Sequence, residues 1–548
     1  MKTNSPSRRR KSFILTLAAR SHYLAVFASA VLLVAFAASA LAYAQKKSTA
    51  NARPRKLPSP EKIVGDYQKA VGGKKRLAGI RDATYEWKVQ LKDEAMGSAE
   101  TNLRAPASTR TNITFGNGDI NSAVSSRSAW MRGLDGKLRT LTDSEAGSAK
   151  LQAALDASRF VDYKKLNVLA RTVAFDETLI EPAYVVEFST RAGARLRCWF
   201  ATNSKLLLKT VDETRGTTAI FSDYRAENDV LEPHRVEIAI GGKDALTFLL
   251  QAARYNTGLS EGLFDPPAAE TPDIAKLLLE VEENQKKLDE RISDYSFTEK
   301  RTERKINDKG EVKEEKVAVF EIYPLPGGGA FYKVISENGV PISAERAAKQ
   351  DKKIAEEVAK YEAAREKKEQ KKKEEAEKNN GQVKKEKEAN DDVSVAVFLR
   401  ACEFVSPRTE RLRDREAVVF EFRPRPGFKP KTMAEDIVTK LIGVIWIDPV
   451  DKEVIRLEAK LAQGYKVGGG LVASIRPGST FVFEQTRLPD GVWLPRFAQV
   501  NFAVKVFIFK NIEANETSEF SDYRRFNTEA SDYKLGTPAA NTPAPPKP

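Results

Sequence analysis

Histidine and cysteine are almost missing from this chain, with two of each in 548 residues. Histidine is the usual acid–base group at neutral pH and a common metal ligand. One of the two, His22, lies in the N-terminal segment. His234 alone is left, beside Pro233 at the head of a strand, where simple solvation accounts for it. Cys198 and Cys402 have no metal-ligand spacing. They fall one in each half of the chain and read as two buried thiols rather than a bridge. The one G-x-S-x-G spacing, Gly258-Leu259-Ser260-Glu261-Gly262, runs into Pro266-Pro267 rather than into a helix and supports no nucleophile elbow. The glycine runs 327–329 and 468–470 do not match a phosphate loop and read as bulges or loops at strand edges. Acid pairs are so abundant that none stands out as catalytic. These absences argue against an enzyme, and no cofactor and no metal is expected. Only surface carboxylates remain as candidate acids and bases.

The length exceeds that of one ordinary domain and predicts two or three. Hydrophobic residues make up 41% and charged residues 30%, as in a soluble globular protein able to bury a core without staples. Residues 1–44 form a targeting segment. Arg8, Arg9, Arg10, Lys11 and Arg20 precede an apolar run from Tyr23 to Ala44, which closes on Ala42-Tyr43-Ala44, a small-residue cleavage site. The run is also long enough to stay as a membrane anchor. The periplasm is the expected location, with inner-membrane anchoring through residues 23–44 as the alternative. Removing the six basic residues of this segment, which holds no acid, leaves +8 of the formal charge of +14. For an exported chain, that balance suits anionic membrane surfaces or acidic partners. Val504–Lys510 alternates apolar and basic residues, a pattern that can stack single-stranded nucleic acid. It reads first as a half-buried strand, so no nucleic-acid partner is expected.

The chain repeats itself. Ser59-Pro60-Glu61 and Thr271-Pro272-Asp273 each give an N-cap hydroxyl, a proline at the first helical position and an acid in the first turn. Ile80 and Ile292 each lie 21 residues after their cap, followed by Asp82 and Asp294. Ile274, Leu277, Leu278 and Val281 form a helical stripe, and Ile63, Tyr67, Ala70 and Val71 a weaker one. A strand then follows in each copy, Ala83–Leu91 and Tyr295–Ile306. Ala183–Phe188 matches Ala417–Phe422, and Leu196–Phe200 around Trp199 matches Gly443–Ile447 around Trp446. Phe221, Arg225, Val230 and Pro233 recur as Phe483, Arg487, Val492 and Pro495. Arg254–Thr257 recurs as Arg525–Thr528. Val418, Phe420 and Phe422 point to one side of their strand and Glu421 to the other. Asp135-Gly136, Asn338-Gly339 and Pro489-Asp490-Gly491 mark turns.

Helices ahead of a long antiparallel meander give an α+β class: two tandem units, 59–267 and 268–536, after a linker at 45–58. Each unit is expected to be a curved, unclosed sheet with helices on its concave face. Pro266-Pro267 between them breaks any ladder or helix and predicts two units that fold independently. A short helix, Asp143–Ala157, in unit 1 corresponds to a long charged insertion, Ala344–Asp392, in unit 2. Ile354, Val358 and Tyr361 begin that insertion with an apolar stripe. Beyond Arg365 it reads either as a solvated, coiled-coil-like helix of Glu–Lys pairs or as a disordered linker. The tail 537–548 is Pro/Ala-rich and expected to be disordered.

The features Tyr67-x-x-Ala70-x-Gly72-Gly73, Ala183–Phe188, Trp199-Phe200 and Phe221–Arg225 leading to Val230-x-x-Pro233 resemble the LolA-like outer-membrane lipoprotein-sorting superfamily. Thr271–Leu535 resembles a second, more divergent member. The resemblance implies an unclosed barrel capped by helices around a cavity for acyl chains. The superfamily also includes RseB-like periplasmic sensors. Two full-size units depart from the single-unit carrier, and no functional residue of the carrier can be placed here. The implied function is binding or carrying of acyl chains, lipids or lipoproteins, with Tyr184, Val186, Phe188, Val418, Phe420 and Phe422 as candidate lining. The alternative is a sensor or scaffold that binds an envelope protein partner through 344–392.

Overall fold

The computed structural model describes residues 57–525, apart from 93, 244, 269–272, 308–311, 326–329, 414, 468–472, 507–509 and, save 363 and 370, 357–394. The targeting segment, most of the linker, most of the charged insertion, the tail, both glycine runs and Thr271-Pro272 lie outside the described residues.

Two antiparallel sheets of 13 strands each carry the fold, and neither closes on itself. In unit 1 the first strand, Asp82–Leu91, pairs with the last, Leu246–Tyr255. In unit 2, Tyr295–Ile306 pairs likewise with Lys510–Arg525. Each sheet is therefore two meanders joined at its middle, and no strand of one sheet is paired into the other. Among the described residues no helix is long and apolar enough to cross a membrane.

The helices form where the local signals place them. Helix α1 (Pro60–Ala70) starts at Ser59, whose hydroxyl accepts the Lys62 amide at 3.3 Å. It stops at Gly72, whose φ of +131° and whose approach to the Asp229 carbonyl leave no room for a Cβ. A short α2 (Lys74–Gly79) follows. Helix α3 (Asp143–Ser158) buries five alanines and two leucines, so it can lie close on the sheet. Helix α4 (Ile274–Arg291) buries Leu277, Leu278 and Val281 of the expected stripe. Its cap differs from expectation. Asp273, expected in the first turn, itself accepts the amides of Ala275 and Lys276 at 2.9 and 3.2 Å. Helix α5 (Val395–Ala401) and α6 (Met433–Val438) complete unit 2. Residues 344–356 are helical and dock on strand Ala330–Glu337 through Lys333–Asp351 and Arg346–Glu337 ion pairs of 2.7 Å. Both cysteines are buried and unbridged.

The junction is not a free tether. Glu261–Phe264 makes a 3-10 turn whose Phe264 is fully buried. Trp130 Nε1 donates to the Phe264 carbonyl at 3.0 Å and Arg110 to that of Leu263 at 2.7 Å.

Unit 2 also presses against unit 1. Arg127 Nε donates to Glu421 at 2.6 Å, and Ser128 bonds the other Glu421 oxygen. Asp265 and Glu261 complete the ring around Arg127. Glu410 accepts both the amide and the hydroxyl of Thr140, at 2.8 and 2.7 Å. Thr140 ends the edge strand Leu138–Thr140 and Glu410 lies on the edge strand Cys402–Leu412, so each unit covers the other's open edge. Arg456 reaches Asp143 at 2.9 Å. Strand Arg415–Pro424 is consequently buried on both faces. The helices cover Val418, Phe420 and Phe422, while Ala417, Val419 and Glu421 lie on the unit 1 side.

Positions that match in sequence have different surroundings at this seam. Glu187 and Glu421 match in sequence. Glu187 stands between Arg171 and Arg197 on its neighbouring strands, at 3.4 and 3.3 Å. Glu421 stands between Val405 and Val444, which leaves its carboxylate to Arg127. Lys209 covers Trp199 and Arg456 covers the fully buried Trp446 from the same cross-strand place.

Candidate binding site

The six residues expected to line a ligand all lie on the helix-bearing faces. Val186 and Phe188, fully buried, pack under α1 and α3 with Ile63, Val64, Leu151 and Leu155. Val418 and Phe420 pack under α4 with Leu277, Leu278 and Val281. Phe422 meets Val397, Ala401, Ala434 and Val438 of α5 and α6. Tyr184 differs, being half-buried at the edge of an opening.

That opening is a pocket of about 110 Å³ between α1 and the sheet. Ile63, Tyr184 and Phe200 form apolar walls, and Lys62, Asp66 and Lys205 form the rim. Lys62 donates to Asp66 at 2.8 Å, one helical turn on, and holds that carboxyl below its ordinary value. Inward from Phe200 runs a set of touching rings: Tyr67, Phe160, Phe188 and Tyr163, with centroids 5.3–5.7 Å apart. Of these residues, the sequence reading named Tyr184 as candidate lining. It missed the rim residues, because they come from two segments far apart in sequence, α1 and the turn holding Lys205.

A second group closes the α3 end of this core. Arg159 follows α3 in the left-handed region (φ 51°) and donates to Glu232 at 2.8 Å and to the Tyr85 hydroxyl. Tyr85 and Tyr255 donate to the same carboxylate at 2.9 and 2.7 Å. Burial opposes the guanidinium charge, but the oxygens of Tyr85, Glu232 and Tyr255 outweigh it and keep Arg159 protonated. Gln68 of α1 donates to the next carbonyl, that of Phe160, at 2.9 Å. The turn after α3 is thus tied to α1 and to three strands. The visible signal was Glu232, an acid inside an otherwise alternating strand. His234, read as a solvated residue, is held instead between Glu227 at 3.0 Å and the Glu232 carbonyl at 3.2 Å. Among the described residues, no group of three or more His, Cys, Asp or Glu is placed to hold a metal.

No protein-family model matches the chain, and no curated protein does. Solved structures that it resembles include a LolA superfamily protein from Nitrosomonas europaea, at 10% identity over 38% of this chain and 99% of that one, with a TM-score of 0.28. A DUF1329 family protein from Desulfovibrio piger is similar at 12% identity over 38% and 98%, with a TM-score of 0.27. The MucA/MucB complex of Pseudomonas aeruginosa matches at 7% identity over 85% and 99%, with a TM-score of 0.16.

Proposed function

We propose that the protein is a non-enzymatic binding protein of the bacterial envelope, exported to the periplasm, that holds the acyl chain of a lipid or lipidated protein in unit 1. One observation supports this reading: an opening between α1 and the sheet with apolar walls, a charged rim and a continuous bed of aromatic rings behind it. Each methylene withdrawn from water there contributes about 0.8 kcal/mol. About 110 Å³ takes only a short length of chain, so a full acyl chain requires α1 to move away from Val186, Phe188 and Phe200. In unit 2, Val418, Phe420 and Phe422 are the corresponding bed. Helices over the concave face of an unclosed barrel are the architecture this reading assumes.

Native mass spectrometry of protein purified from envelope extract tests it, together with uptake of a fluorescent fatty acid. A lipid adduct that Phe200→Asp abolishes is expected. Ligand-free protein with no uptake would sink the reading.

A further inference from the structure

Matched places under the first helix of each unit are filled differently. In unit 2, Ile274 and Leu278 of α4 pack with Val418 and Ile447 in a closed apolar cluster. At the same offsets from the N-cap and along the matching strands, unit 1 has Lys62, Asp66, Tyr184 and Phe200. These do not close. They surround the pocket of about 110 Å³ between α1 and the sheet. Unit 1 therefore carries charge around an opening where unit 2 has packed hydrocarbon.

A lysine stands near this place in both units. Lys205 and Lys452 each sit in a turn with left-handed backbone (φ 62° and 55°). Each donates to the carbonyl three residues back, that of Thr202 or Pro449. Holding the turn is thus common to both. The acid on the helix is not. Lys452 has Glu280 of α4 at 3.8 Å. The matching residue of α1 is Gln68, which is buried and donates to the Phe160 carbonyl. The acids nearer Lys205 are engaged elsewhere. Asp66 holds Lys62 at 2.8 Å and faces Lys69 at 3.9 Å. Glu181 accepts the amides of Asn203 and Ser204 at 2.6 and 2.7 Å and the Ser204 hydroxyl at 2.8 Å. Glu61 is paired with Lys164 at 2.6 Å. Lys62, Lys69 and Lys205 thus stand against Asp66 and Glu181, which leaves a positive surplus. An ammonium has three donors, so the bonds to Asp66 and Thr202 leave Lys62 and Lys205 with donors to spare. The first turn of α1, which also lines the pocket, adds the positive end of the helix dipole.

We propose that this pocket takes the anionic head of a single-chain amphiphile, a carboxylate or a phosphate monoester, between Lys62 and Lys205, with the neighbouring methylenes against Ile63, Tyr184 and Phe200. The proposal rests on the acyl-chain reading of unit 1 and narrows it to chains that carry a charged head. Ester- or amide-linked acyl groups of a lipidated protein lack that charge, so a free lipid is the favoured occupant.

Calorimetric titration of the full chain with dodecyl-chain probes, kept below micelle formation, tests this. The probes are laurate, its neutral glycerol monoester and dodecyltrimethylammonium. Laurate should bind about tenfold more tightly than the other two, by a margin that shrinks in high salt. Lys205→Gln, and independently Lys62→Gln on the exposed face of α1, should bring laurate to within about threefold of the ester. Lys452→Gln removes the matching turn bond of unit 2 and should leave laurate binding unchanged, which separates recognition from the structural role. Dodecyl phosphate in place of laurate tells a phosphate head from a carboxylate. Equal binding of the three probes, no loss in either unit 1 variant, or an equal loss in Lys452→Gln would overturn the head assignment and leave the acyl-chain reading standing. If no probe binds, both fall.

Discussion

Arg159 ties helix α3 to strands from both halves of the first sheet through one guanidinium. Replacing it with methionine keeps much of its bulk but leaves Glu232, with only 10% of its side chain exposed, facing two phenols and no cation. Breaking a buried pair from one side costs roughly 3–5 kcal/mol. Arg159→Met should lower the urea midpoint correspondingly, and a loss within error would show that the pair holds nothing. Asp156, three residues earlier, carries the opposite sign. Burial raises its carboxyl to about 6, above the ordinary 3.8. The folded state therefore binds a proton that the unfolded chain releases, and the associated stability, present at low pH, is lost as pH rises through about 4 to 6. Asp156→Asn should raise the melting temperature at pH 7.5 and change it little at pH 4. A gain of equal size at both would refute the linkage.

Strand Leu441–Ile447 shows how little freedom one element has. A Cβ on Gly443 would lie 2.0 Å from the Glu458 carbonyl and 2.5 Å from the Phe422 ring. Gly443→Ala should destabilise by more than about 2 kcal/mol, measurable by chemical denaturation, and wild-type stability would mean that the strand can shift. Periodicity made much of this architecture legible from sequence: helical spacing gave the apolar stripe of α4, strand alternation the inward set Val418, Phe420 and Phe422, and internal matching the paired positions of Trp199 and Trp446. Other features were not legible, for physical reasons. Asp273 caps α4 because its carboxylate reaches two amides, which a proline-first pattern hides. Glu421 sits at an outward position and reads as solvated, because its partner Arg127 is nearly three hundred residues away. The pocket draws on α1, the Ala183–Ser189 strand and the turn holding Lys205, and no spacing rule joins these.

At the scale of the molecule, two sheets with separate hydrogen-bond ladders share a polar seam. Pro266-Pro267 predicted independence, but the side of unit 2 that carries Val419, Val444 and Trp446 is fully buried. A fragment beginning at residue 268 should therefore expose that cluster and bind a hydrophobic dye, whereas the full chain does not. Adding the fragment 57–267 should quench the dye signal, and Arg127→Ala in that fragment should weaken the rescue. Equal solubility and no dye binding by either fragment would restore the independent picture. Removing Arg127 leaves the buried Glu421 with only Ser128 and the more distant Arg408, at 4.0 Å, a loss on the order of 3 kcal/mol.

The seam joins unlike surfaces, a sheet face of one repeat and a strand corner of the other. Contacts of that kind do not close into a two-fold pair. Repeated from molecule to molecule, they build either rings or open filaments. In unit 1 the strand that matches this face in sequence carries Glu187 where unit 2 has Glu421. Arg171 and Arg197 hold Glu187 from the neighbouring strands, so an incoming arginine finds its carboxylate already occupied.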